Sequence, residues 1–127
     1  MRKQSISTNK APEAIGPYSQ AIKVGNLIYT SGQLPIDPST GELINDDIKK
    51  ATAQSLENVK AILEEVNVSM DKVVKTLVFV KDLNDFTAVN EVYAEYFTQN
   101  YPARSCIEVA KLPKDARVEI EVIALAE

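Results

Sequence analysis

The chain contains no histidine and no tryptophan, one cysteine, and four glycines among its 127 residues. Without histidine, Ser-His and Cys-His catalysis is excluded, and with it nearly every zinc site, so no metal and no metal cofactor is expected. A single thiol, Cys106, cannot close an internal disulfide, which suits a reducing compartment. Acid–base chemistry is left to Glu, Asp, Tyr, Lys or Cys. Gly16, Gly25, Gly32 and Gly41 stand far apart and build no phosphate-cradling loop. No apolar run approaches the ~20 residues of a membrane span, and the segment Met1 to Thr8 lacks the apolar stretch of a secretory leader. The expectation is a cytoplasmic protein with no membrane partner.

What is present is ordinary for a soluble globular chain: 45% hydrophobic and 25% charged residues. The length fits one domain, residues 1–127, able to bury roughly two-thirds of its unfolded surface without staples. Fourteen Lys and Arg against eighteen Asp and Glu leave a net charge of −4. That balance argues against a nucleic-acid partner bound by phosphate neutralisation. The lysines form no cluster with interleaved aromatics of the kind that grips single strands.

Residues 1–20 read as irregular, with one short strand near Lys3 to Ser7 and punctuation at Ala11-Pro12 and Gly16-Pro17. Ile22 to Val24 and Leu27 to Ser31 flank Gly25-Asn26, a tight hairpin signal. Gln33 to Leu43 reads as a loop with turns. From Asp46 to Val66 apolar residues recur every three or four positions through Ile48, Leu56, Val59 and Leu63, predicting a helix with Asn45, Asp46 and Asp47 at its start. Val73 to Val80 is apolar in both alternations and reads as a strand buried on both faces. A second helix is predicted from Asn84 or Asp85 to about Thr98, striped by Phe86, Val89, Val92 or Tyr93, and Tyr96 or Phe97. Two further strands close the chain. Two helices cover only one face of such a sheet, so a second subunit is the economical cover for the other.

The chemistry concentrates between Pro102 and Glu121. In Ser105 to Val109, Arg104, Cys106 and Glu108 share one face of a strand, opposite Ser105, Ile107 and Val109. In Val118 to Ala126, Glu119 and Glu121 oppose Val118, Ile120, Val122 and Ala124. If the two greasy faces belong to one core, Arg104, Cys106 and Glu119 lie together on the other side of one sheet. From spacing alone Arg104 is either a carboxylate binder or one half of an ion pair with Glu108, Glu119 or Glu121. Glu119 is either an acid–base group or a solvated strand residue. Cys106 as a nucleophile would need activation by a cation such as Arg104. Tyr18 follows a rigid Gly-Pro turn, Ser31-Gly32 ends a strand where a glycine permits close approach of a ligand, and Asn90 sits inside a helix that it favours little.

Pro102-Ala103-Arg104-Ser105 and Glu119-Ile120-Glu121, with Ile15 to Gln20, Tyr29 to Gln33 and Val80 to Phe86, resemble in order the motifs of the RidA family (YjgF/YER057c/UK114). The resemblance implies a chorismate-mutase-like α+β fold, a mixed sheet of about six strands with two helices on one face. It also implies a homotrimer with sites between subunits. The implied activity is that of a 2-iminobutanoate/2-iminopropanoate deaminase working without a cofactor on a 2-imino acid. In that reading Arg104 grips the substrate carboxylate, Glu119 is the catalytic carboxylate, and Cys106, Tyr18, Ser31, Gly32 and Asn90 line the pocket. The alternative from another class is a trimeric 2-oxo-acid-binding or interaction module without significant catalysis.

Overall fold

The computed structural model describes residues 1–127. Its elements are β1 (Lys3–Ile6), β2 (Ala21–Val24), β3 (Leu27–Thr30), α1 (Ile48–Glu65), β4 (Val73–Val80), α2 (Phe86–Tyr96), β5 (Ala103–Glu108) and β6 (Val118–Leu125). The strands form one mixed sheet in the order β1-β2-β3-β6-β4-β5. All neighbours are antiparallel except β4 and β5, whose crossover is α2. β6 slips between β3 and β4, so α1 spans a gap that the last strand fills. The expected α+β sheet of six strands with two helices is what the chain forms.

Local chemistry explains the element ends. Asp47 caps α1, its Oδ1 accepting from Lys49 N at 2.8 Å and Lys50 N at 3.4 Å. The helix ends in a Schellman turn: Asn67 adopts φ 61°, its N–H meets Glu64 O at 3.0 Å, and Val68 N–H reaches Leu63 O at 3.0 Å. The β2–β3 turn uses Gly25 at φ 56°, as the Gly-Asn signal requires.

Both helices lie on one face of the sheet. Leu56, Val59, Ile62 and Leu63 of α1 pack there with Ile28, Val78, Ile120 and Val122, all 2% exposed or less. Burying each such side chain contributes roughly 1.5–3 kcal/mol. The other face is open in the single chain. Leu77, Phe79 and Ile123 are half-buried on it, and Tyr29, Ile107 and Leu125 are 40–45% exposed. β4 is therefore sealed on its Thr76-Val78-Val80 side only, against the expectation of burial on both faces, because no element of this chain covers Leu77 and Phe79.

Two polar anchors fix the loops that border the site. Asn58, 1% exposed on α1, donates to Leu34 O at 3.1 Å and Ile36 O at 2.9 Å, tying the loop after β3 onto the helix. Gln20, 4% exposed, meets Thr8 N at 2.7 Å through Oε1 and donates to Pro12 O at 2.7 Å, folding residues 8–20 back on themselves. No helix is long and apolar enough to cross a membrane.

Candidate functional site

Glu119 lies on β6, opposite Phe79 of β4 and on the open face of the sheet. Just beyond β3, Gln33 makes an antiparallel bridge to Ile120, with Gln33 N to Ile120 O at 2.8 Å and Ile120 N to Gln33 O at 3.2 Å. That bridge brings Gly32 flush against Glu119. A Cβ at Gly32 would stand 2.6 Å from Glu119 Oε2 and 2.7 Å from its Cδ, so only glycine leaves the carboxyl its place. Ser31 N donates to Gln20 O at 2.8 Å and its Oγ to Ser19 O at 2.6 Å, which holds the Tyr18 segment beside it. The Gly32 N–H makes no bond within the chain and is an open donor next to the carboxyl.

These residues line a cavity of about 580 Å³ that brings Tyr18, Ser31, Gly32 and Glu119 together. Burial pushes the Glu119 carboxyl above its ordinary value, and the charge of Glu121 on the same face adds to the rise. No hydrogen bond and no cation opposes it. The cavity wall also includes Glu13, Gln33 and Lys114, which sequence reasoning missed. Lys114 is one of two consecutive left-handed residues, φ 58° and 55° at Asp115, in a tight turn that no sequence pattern announces.

Arg104 lies elsewhere. β5 runs parallel to β4 in a register that sets Arg104 opposite Thr76 and Cys106 opposite Val78, both core-facing residues. Arg104 and Cys106 therefore point to the helix side, while Ser105 and Ile107 join the open face. The expectation that Arg104, Cys106 and Glu119 share one side of the sheet is corrected here. The apparently greasy face of β5 is the one turned away from the helices, and a slip of one position in register exchanges the two faces of a strand. Within one chain Arg104 and Glu119 are two strands apart, on opposite faces, and border different cavities.

The Arg104 cavity, about 400 Å³, is lined by Asn90, Tyr93, Ala94, Phe97, Tyr101 and Pro102. Arg104 Nη1 donates to Asn90 Oδ1 at 2.7 Å. Its guanidinium carbon stands 5.3 Å from the Phe86 ring centre and 4.7 Å from that of Tyr93. The ion pairs of the chain are Lys49–Glu91, Lys81–Asp115 and Arg117–Asp85, so the structural pairing of Arg104 with Glu108, Glu119 or Glu121 does not occur. Asn90 stands beside the arginine. Phe86 and Tyr93 were legible only as a helix stripe; an asparagine within that stripe was the signal that this face does more than pack.

Cys106 is half-buried, packs against the core, and borders neither cavity with its thiol. Burial raises its pKa, with Arg104 acting in the opposite sense, so the thiolate needed for a nucleophile is disfavoured. Its backbone is better placed. Val109 N donates inward to Val80 O at 3.0 Å, and the two-residue alternation of a parallel ladder turns the Cys106 N–H outward, along the free edge of the sheet.

Comparison with known proteins agrees across the whole chain. The family model described as Endoribonuclease L-PSP matches residues 8–126. A RutC family protein of Pyrococcus abyssi is 58% identical over 127 residues, covering 100% of both chains. A protein of Escherichia coli strain K12 named 2-iminobutanoate/2-iminopropanoate deaminase is 53% identical, over 96% of this chain and 97% of that one. The crystal structure of E. coli TdcF with bound serine is 47% identical, with a TM-score of 0.92 over 96% of this chain and 98% of that one. The chain belongs to the Endoribonuclease L-PSP family, also known as the YjgF/RidA family.

Proposed function

We propose that the protein is a 2-iminobutanoate/2-iminopropanoate deaminase whose active site forms between subunits of a homotrimer. Arg104 from one chain would face Glu119 from the next. The observation that carries this reading is that Arg104 is held by neutral partners alone, leaving a full positive charge and spare donors on a cavity wall. A guanidinium in that state suits a carboxylate ligand. The open sheet face, with Leu77, Phe79 and Ile123 on it, supports a second subunit as the means of closing the distance. The named activity of the E. coli relative and the amino acid bound by TdcF point to the same ligand class.

In this reading the Arg104 fork fixes the substrate carboxylate, and the N–H groups of Gly32 and Cys106 supply further donors. Glu119, ionised, takes a proton from water as the oxygen adds to the C=N carbon. Glu119 returns that proton to nitrogen to give a neutral carbinolamine. It then takes the hydroxyl proton as the C=O forms and passes it to the nitrogen, so the C–N bond breaks and ammonia leaves with a 2-oxo acid behind it. The raised pKa of Glu119 brings the carboxyl toward the range where it can both accept and return a proton. RNA cleavage finds less support in a chain with no histidine and a net charge of −4.

The test generates the imine with a threonine dehydratase and follows 2-oxobutanoate release with and without the protein. The reading requires acceleration that Arg104→Ala removes. Binding of 2-oxobutanoate without acceleration would establish the non-catalytic binding module instead.

A further inference from the structure

Arg104 sits on the edge strand of the sheet, largely exposed, where a long flexible side chain ordinarily samples many rotamers. Three side chains of α2 prevent this. Phe86, Asn90 and Tyr93 fall at i, i+4 and i+7, so they share one helix face, and all three touch the guanidinium. The Tyr93 ring is itself immobilised: its hydroxyl lies 2.9 Å from Oγ1 of the fully buried Thr76, and its face packs against Phe97 at 4.6 Å between ring centres.

We infer that Phe86 and Tyr93 are positioning residues, an aromatic shelf that orients Arg104 for its ligand without neutralising it. A carboxylate in their place would hold the arginine more tightly, but it would compete with the incoming acid for the same donors. A π face attracts the cation and leaves its N–H groups free. Asn90 occupies Nη1, so Nε and Nη2 remain as the adjacent pair that can meet a carboxylate through two parallel bonds. The inference rests on the reading of Arg104 as the ligand's anchor.

The test reads binding of 2-oxobutanoate, which involves no chemistry, together with the NMR signal of the Arg104 Nε–H. In the wild type that resonance should be displaced upfield by the two rings, and it should shift on titration with the oxo acid. Phe86→Leu keeps an apolar side chain but removes the π face. It should move the resonance toward that of a free arginine and weaken binding about 2- to 5-fold, the range set by an exposed cation–π contact. Under turnover the loss should fall on KM with kcat near wild type. Phe86→Tyr should restore both signal and affinity, and in an Arg104→Ala background Phe86→Leu should cost nothing further. Unchanged affinity in Phe86→Leu overturns the inference, whatever the resonance does, and leaves the deaminase reading standing. A wild type that binds the oxo acid but does not accelerate imine hydrolysis would sink that reading while the shelf is still tested by the same titration.

Discussion

Arg104 and Glu119 occupy opposite chemical circumstances. The arginine rests on two aromatic rings and an amide, in contact with partners that stabilise its charge without cancelling it. The glutamate is pressed against a glycine, half-buried, with a like charge nearby and no partner. One group is settled before any ligand arrives, and the other is held where its charged form is disfavoured. Such a pairing suits a site in which the first orients and the second exchanges a proton. Within one chain the sheet lies between the two groups, so a site that uses both would draw them from different chains.

The largest effects should come from removing either half. Glu119→Gln is expected to lower kcat by about 10²–10⁴, the usual worth of a positioned acid–base group, with oxo-acid binding retained. Arg104→Ala should instead raise KM on the order of 100-fold, since two charge-assisted bonds are lost. If both variants depressed the same kinetic constant, the division of labour between the halves would be wrong.

Gly32→Ala tests the glutamate half more finely. The added methyl would displace the Glu119 carboxyl, and a shift near 1 Å should cost roughly 10²-fold in kcat while leaving the Arg104 cavity intact. Retained activity would mean that the carboxyl is not needed where it lies.

The smallest effect concerns pH. In the proposed reaction Glu119 acts as a base only when ionised, so the rate should climb with pH through a point above the ordinary glutamate range. Glu121→Gln removes the second cause of that rise and should move the climb to lower pH. The same shift acts on stability. The folded chain binds this proton more tightly than the unfolded chain, so Glu119 favours folding at low pH and loses that contribution as pH rises through its folded value. Glu119→Gln should therefore raise Tm near neutral pH even as it slows turnover, which thermal melts at pH 5 and pH 8 would show as a widening gap.

Much of this was readable in the sequence. The alternation in β6 assigned Val118, Ile120, Val122 and Ala124 to the core, where they are 2% exposed or less. The periodicity of α1 and the Gly25-Asn26 turn also stand as expected. The faces of β5 were not readable, because Ser105 and Ile107 resemble a core face only if the register is assumed. β5 pairs parallel with β4 after the α2 crossover, in a register that turns Arg104 toward Phe86 and Tyr93 of that helix. Nor could spacing show the contact of Gly32 with Glu119, which depends on a bridge between residues 87 positions apart in the chain.

The most direct test of a site shared between chains mixes two impaired variants, assayed with imine well below the wild-type KM. Arg104→Ala and Glu119→Gln chains, unfolded together and reassembled at equal amounts, should regain imine hydrolysis. About a quarter of the interfaces would join an intact Arg104 to an intact Glu119, if each site draws one group from each neighbour. Recovery near that fraction is the expected result. Reassembled mixtures with the oligomeric state of the wild type but no more activity than either variant alone would contradict it.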